Sequence, residues 1–402
     1  MFERLELITA DAILSLMAAF RADPDPRKVD LGVGVYRDDH GETPVPAAVR
    51  KAERALIERQ TTKTYVGPAG NPGFNQEIAR LVLGADHPAL TAGRVRTIQS
   101  PGGCGALRLG AELIRFASPE SVVHLSTPTW VNHTPLLSGS GLKLESYPYY
   151  DAASGAVLFS DMVAAFERLP PRAVVLLHAS CHNPTGADLS QEQWRELLSL
   201  VKRRQLLPFI DMAYQGLGEG LDADAFGLRL FSAELPEVIF AVSCSKNFGL
   251  YRERTGALSI VSASPAEADA AMSQLVRLAR GLWSMPPDHG AAIVHGILSD
   301  ATLRAEWTAE VGVMRERVQG LRREVVRHLA ERCPGRDFSF VARHHGMFSL
   351  FGITTEQARE LRARHHVYMV DDSRMNVAGL RRDNLEYFAR SVAAVLGGGA
   401  GR

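Results

Sequence analysis

Lys246 closes the apolar run VIFAVSC (238–244) and is followed at once by Asn247, Phe248 and Gly249. Only six lysines occur among 45 basic residues, and the other five (Lys28, Lys51, Lys63, Lys143 and Lys202) sit in polar or charged stretches. An amine at the mouth of a buried strand is costly unless it is neutralised or bonded, which imine formation achieves. On this segment alone two readings stay open: a lysine snorkelling from a strand end, or a catalytic nucleophile. Asp211 ends a second apolar run, LLPFIDM (206–212), and Tyr214 lies three residues on.

A cofactor with an aldehyde, an aromatic ring bearing a basic nitrogen, and a phosphate would occupy all of these groups. Lys246 forms the imine, Asp211 holds the ring nitrogen protonated and so strengthens the ring as an electron sink, and Tyr214 bonds the ring oxygen. Trp130 offers a plane to stack on that ring. A phosphate needs backbone donors at a helix N-terminus and a cation. SPGGCGALRLGAELI (100–114) runs from a glycine-rich turn straight into a helical pattern, Ser243 and Ser245 flank the lysine, and Arg254 supplies a guanidinium fork. Each has a plainer reading by itself: a solvated Asp, a core Tyr or Trp, an ordinary turn, a surface Arg. Their joint occurrence at successive strand ends favours the site.

The elements that must position them alternate. Apolar β-type runs at 121–126, 173–179, 206–212, 238–244 and 256–263 are separated by helical patterns such as 191–204, which Ser190 and Gln193 open with a capping-box spacing. This order predicts an α/β fold with a mostly parallel sheet between helices, and ligands bound beyond the carboxyl ends of its strands. Helices follow at 266–281, 287–299 and about 300–332, and then a smaller α+β unit. The turn-rich stretch 23–46 reads as a connector.

Composition narrows the class. A chain of 402 residues suffices for two domains, and its zero formal charge argues against nucleic-acid or membrane-surface partners. Cys104, Cys181, Cys244 and Cys333 lack CxxC spacing, which suggests a reducing cytoplasm. Glu3, Glu6 and Asp11 make the N-terminus acidic, unlike a targeting peptide, and no run approaches the ~18 apolar residues of a membrane span.

Read together, SCSKNFGLYRERTG, HNPTG, DMAYQG, TPTWVNH and SRMNVAG resemble the signature blocks of the aspartate and aromatic amino-acid aminotransferases, which are fold-type-I pyridoxal-phosphate enzymes. The blocks run in order from LGVGVYRDD to MNVAG, nearly the whole chain. The resemblance implies Lys246 as Schiff-base lysine and proton shuttle, Asp211 at the pyridine nitrogen with His133 behind it, Tyr214 and Asn183 at the ring oxygen, and Trp130 on the ring face. It implies Gly103, Cys104, Ser243, Ser245 and Arg254 around the phosphate, joined by Tyr65 from the other subunit of a homodimer. For the substrate it implies Arg374 on the α-carboxylate with Asn183 and the Gly34 backbone, and Arg280 of the other subunit on a distal carboxylate. It also implies an N-terminal arm (1–12), a small domain in two parts (13–43 and 314–402) and a large cofactor-binding domain (44–313).

The expected reaction is ping-pong amino transfer between an acidic or aromatic L-amino acid and 2-oxoglutarate. Three positions depart from the family pattern: Cys104 where a hydroxyl is usual, Trp283 for Tyr, and Met285 for Asn or Ser. The last two make the entrance bulkier and more apolar, which suits aromatic substrates, whereas Val35, Arg37 and Thr43 look aspartate-like. β-Elimination or decarboxylation on the same scaffold is the alternative chemistry. A regulatory cofactor-binding protein is disfavoured because no room for a DNA-binding domain is left. Zinc and nucleotide chemistry are disfavoured by His344–His345 and His365–His366, which lack metal-ligand spacing, and by the missing Walker lysine.

Overall fold

Seven strands carry the architecture: β1 (Val95–Pro101), β2 (Val122–Thr127), β3 (Lys143–Pro148), β4 (Val174–His178), β5 (Leu207–Met212), β6 (Val238–Ser243) and β7 (Thr255–Val261). They form one sheet in the order β1–β7–β6–β5–β4–β2–β3. The β6–β5, β5–β4, β4–β2 and β2–β3 pairs are parallel, while β7 runs antiparallel to both β6 and β1. The computed structural model describes residues 1–7 and 12–397, so the expected N-terminal arm lies partly outside the described residues.

Strand alternation feeds two cores. Val174, Leu176, Phe209, Ile239 and Ala241 point into one, and Val175, Leu177, Ile210, Phe240 and Val242 into the other. Both faces of the central strands are thus covered, so those strands read as unbroken apolar runs. The five expected strands appear within a few residues of their predicted bounds. Neither β1 nor β3 is expected from the sequence, and both are sheet edges. An edge strand has one neighbour and tolerates polar residues: VRTIQSP and KLESYP are only partly buried.

The helices used below are α1 (Ala12–Ala22), α2 (Gly102–Ala117), α3 (Gln191–Arg204), α4 (Pro265–Leu282), α5 (Asp288–Ser299) and α6 (Ala301–Arg332). At α3 the expected capping box is formed: the Gln193 N–H donates to Ser190 Oγ (3.2 Å) and the Ser190 N–H to Gln193 Oε1 (2.9 Å). α6 starts on Asp300, whose carboxylate accepts from the N–H groups of Thr302 and Leu303. It continues unbroken through residues 313 and 314.

The two ends of the chain meet. Val29–Asp30, within the turn-rich 23–46 stretch, pairs in parallel with Val367–Tyr368, and Phe348–Leu350 pairs antiparallel with Arg374–Asn376. Among the described residues no helix is long and apolar enough to cross a membrane.

Candidate active site

A cavity of about 250 Å³ opens at the carboxyl ends of the parallel strands. The reversed strand β7 is essential to its construction. Because β7 is antiparallel, its first residue rather than its last reaches this edge, with Thr255 opposite Pro101 and Gly256 opposite Ser243. Arg254, immediately before β7, therefore arrives beside the start of α2 and the end of β6.

That corner has the donors an anion cradle needs. α2 begins directly after β1 with no side chain capping it, which leaves first-turn N–H groups for a ligand. The backbone needs glycine here: Gly102 has φ +68°, and a Cβ on it would lie 2.7 Å from Arg254 Nη2. A Cβ on Gly103 would lie 3.1 Å from the Ser243 side chain. Ser243 Oγ accepts from the Ser245 N–H (3.3 Å), and Arg254 Nη1 donates to Ser245 Oγ (3.5 Å) and to the Tyr251 carbonyl (3.0 Å). Cys104 lines the cavity, and its sulfur accepts from Asn132 Nδ2.

Opposite this corner, Lys246 Nζ sits 4.7 Å from the centroid of the Tyr214 ring. Burial pulls the lysine below its ordinary pKa, with Asp211 pulling the other way. Burial alone would raise the Asp211 pKa, but the hydrogen bond and charge of His133, with His178 and Lys246 adding to it, leave it lowered. His133 Nε2 lies 3.1 Å from Asp211 Oδ2, and its Nδ1 lies 2.8 Å from Thr129 Oγ1. His178, beside them, is pushed down to about 3 by burial and by His133, so it is neutral. Burial raises the Tyr214 phenol, which therefore stays protonated. Asn183 Nδ2 reaches Tyr214 Oη at 3.5 Å, while the buried Asn183 Oδ1 has no protein partner among the described residues. Trp130 meets the His133 ring edge-on at 5.3 Å.

The far wall comes from the chain ends. Arg374, only 5% exposed, donates from Nη2 to the Gly32 carbonyl (2.9 Å) and lies over the Phe348 ring at 4.7 Å. The 31–36 turn is held by the Asp30 carboxylate, which accepts from the Gly32 N–H, and by Asn376 Nδ2, which donates to the carbonyls of Val33 and Val35. Gly34 lies so close to Phe348 that a Cβ would be 2.8 Å from its ring.

The structure thus gathers Gly34, Gly103, Cys104, Trp130, Asn183 and Asp211 around one space, with Tyr214, Ser243, Ser245, Lys246, Arg254 and Arg374. His133 stands behind Asp211 rather than at the cavity. Tyr65 is 88% exposed and Arg280 is exposed, and neither reaches the cavity of its own chain. Their segments adjoin, since the Val66 N–H donates to Met285 Sδ (3.1 Å). Sequence reasoning misses Tyr251 and Phe348, both of which line the cavity. Tyr251 lies inside the quoted SCSKNFGLYRERTG block, and its hydroxyl accepts the Tyr36 N–H (2.9 Å). Phe348 reads from sequence as one more core aromatic.

A lysine, a carboxylate and an anion cradle at the strand ends of such a sheet are the site of an α/β enzyme. The family model "Aminotransferase class I and II" matches residues 26–392, and the chain belongs to that family. It is 46% identical over 394 residues to the aromatic-amino-acid aminotransferase of Pseudomonas aeruginosa, covering 98% of each chain. To the aspartate aminotransferase of Escherichia coli it is 43% identical, covering 98% of this chain and all of that one. The crystal structure of the aromatic-amino-acid aminotransferase from Burkholderia pseudomallei, covalently bound to pyridoxal phosphate, superposes with a TM-score of 0.96 at 44% identity over 98% of this chain and 99% of that chain.

Proposed function

We propose that the protein is a pyridoxal-phosphate aminotransferase that exchanges an amino group between an acidic or aromatic L-amino acid and 2-oxoglutarate. The observation that carries this reading is the cavity itself, in which a partly buried lysine, a carboxylate backed by histidine and a guanidinium beside an uncapped helix start face one space. The residues fit the cofactor: a Cβ would fill the Gly102–Gly103 cradle, and the buried Asn183 oxygen lacks a protein partner among the described residues. When bound, the cofactor supplies an electron sink for the electrons left as the substrate loses its Cα proton.

The protein's own groups do the rest. Asp211 would pair with the ring nitrogen, Tyr214 and Asn183 would bond the ring oxygen, and Trp130 would lie against the ring. Gly103, Cys104, Ser243, Ser245 and Arg254 would hold the phosphate. Burial lowers the Lys246 pKa and so enlarges the fraction of neutral amine able to attack a carbonyl. With cofactor and substrate bound, Lys246 would be the base that holds and moves the Cα proton. The second half-reaction reverses these steps with 2-oxoglutarate.

Arg374, with Asn183 and the Gly34 backbone, binds the α-carboxylate. Its planar fork matches a carboxylate. Exposure of Tyr65 and Arg280, and the contact between their segments, supports a homodimer in which Tyr65 of the partner subunit joins the phosphate site and Arg280 of the partner subunit binds a distal carboxylate. The expected division, 13–43 with 314–402 as the smaller domain and 44–313 as the larger, would have α6 as the continuous strut between them; residues 398–402 lie outside the described residues. The four cysteines are free thiols, in keeping with a cytoplasmic enzyme.

The test is a coupled assay with 2-oxoglutarate that ranks kcat/KM for aspartate, phenylalanine and tyrosine. No amino transfer with any of them sinks the reading. Arg280→Ala should cost aspartate about 100-fold and phenylalanine little, as expected for loss of one charged hydrogen-bonded pair; equal losses would remove Arg280 from its role.

A further inference from the structure

One side of α6 carries Arg315, Gln319 and Arg322, at the spacing that places residues on a common helix face. Arg315 Nη1 donates to the Gly216 carbonyl (3.3 Å) and Gln319 Nε2 to the Gly218 carbonyl (2.7 Å), in the loop that follows Tyr214. Arg322 is only 1% exposed and, among the described residues, has no carboxylate partner. Its guanidinium instead gathers the carbonyls of Val341 (2.9 Å), His345 (3.1 Å), Gly346 (2.7 Å) and Phe348 (2.6 Å), with Ser349 Oγ at 2.7 Å.

A buried cation without a counter-ion is an expensive way to fill space, and an apolar side chain generally serves packing as well. What the guanidinium adds is direction: five donors in a rigid fork fix several carbonyls at once. The segment it fixes delivers Phe348, whose ring lies 4.7 Å beneath the Arg374 guanidinium, stands edge-on to Tyr214 at 6.2 Å, and abuts Gly34. The same segment seats on the loop that carries Asn183, where the His345 N–H donates to the Gly186 carbonyl (2.8 Å).

We propose that Arg322 is a positioning residue for substrate binding: by gathering the carbonyls of residues 341–348 it seats Phe348 under Arg374 and so sets the guanidinium that grips the substrate carboxylate. The proposal rests on the carboxylate-binding role given to Arg374. No reacting atom touches Arg322, so its effect belongs to binding rather than to the proton transfer at Lys246.

The test uses the holoenzyme, with 3-phenylpropionate as an unreactive carboxylate probe titrated by the change in cofactor absorbance. Arg322→Lys keeps the charge but loses the fork, and Arg322→Met loses both. Each should weaken the probe about tenfold or more and raise KM for phenylalanine and 2-oxoglutarate alike, as expected when a charge-assisted carboxylate contact is degraded. Cofactor retention on dialysis and the cofactor absorbance band should stay as in the unsubstituted enzyme. Phe348→Leu should cost less probe affinity on top of Arg322→Lys than it does alone, because the two act along one path. Unchanged probe affinity in the folded variants, additive losses in that cycle, or probe affinity and cofactor retention falling in step would each overturn the proposal. Should Arg322→Met fail to fold, Arg322→Lys and the cycle decide. Arg374→Lys with unchanged probe affinity would remove the underlying role of Arg374, an outcome separate from any result at Arg322.

Discussion

The wall of the cavity around Lys246 is made by loops that leave neighbouring strands, so each group lies within a few residues of a sheet position. The wall around Arg374 is brought together from the two ends of the chain: the bond from Arg374 to the Gly32 carbonyl spans 342 residues. One wall inherits its geometry from the register of the large sheet, and the other depends on turns, two short strand pairs of two and three residues and the carbonyls collected by Arg322. The first should be rigid and concerned with the cofactor, and the second adjustable and concerned with the substrate. Substitutions on the two walls should therefore separate cofactor chemistry from substrate affinity.

The largest effect belongs to Lys246. On the proposed roles, Lys246→Ala removes both the attacking amine and the base for the Cα proton, so kcat should fall by at least about 10⁴-fold. The visible absorbance of the lysine-bound cofactor should vanish with it. Activity that survives alongside that band would break the assignment of this wall.

Next comes Arg374→Lys, which exchanges a planar fork for a point charge at a 5%-exposed site. We expect kcat/KM to fall about 100-fold, carried mostly by KM, with cofactor absorbance unchanged. A fall in kcat at constant KM would mean that the two walls do not divide the work in this way. Arg254→Met is the matching change in the anion cradle. It should raise the concentration of pyridoxal phosphate needed for half-activation about tenfold and leave KM for the amino acid nearly constant at saturating cofactor.

The same division explains what could be read without coordinates. Asp211 and Lys246 stand out because a charge at the end of an apolar run is anomalous on any fold, and α3 announces its start with Ser190 and Gln193. The edge strands β1 and β3 do not stand out, because Arg96 and Thr97, or Lys143 and Glu145, sit where only one neighbour must be satisfied, while the buried Gln99 is satisfied outside the sheet by Asn71 and Pro287. Phe348 and Tyr251 are hidden for a different reason. Nothing local distinguishes an aromatic that lines a cavity from one that fills a core, and their roles arise from partners more than 200 residues away, such as Tyr36 for Tyr251 and Gly34 for Phe348. Arg322 is hidden among six other arginines of α6.

The smallest effect tests how firmly the two walls are joined. His345, at the substrate wall, lies 3.6 Å from Asp188, whose carboxylate accepts the N–H groups of Cys181 and His182 in the cofactor wall. The Asp188 carboxylate beside it raises the His345 pKa above its ordinary value, with burial opposing it. In the unfolded chain the imidazole titrates near its ordinary value of about 6.5. The pair's contribution to stability is therefore complete below about pH 6.5 and is lost as pH rises through the higher folded value. Because the His345 side chain is 30% exposed, that contribution should stay below about 1 kcal/mol. Buried neutral histidines such as His178 act in the opposite sense over this range, so the pair is read by difference: in urea unfolding, His345→Gln should be less stable than the wild type by about that amount at about pH 6 and by little at about pH 9. An unchanged pH difference in the variant would show that the junction is held by the uncharged contacts alone, the His345 N–H to Gly186 bond and the cluster around Arg322.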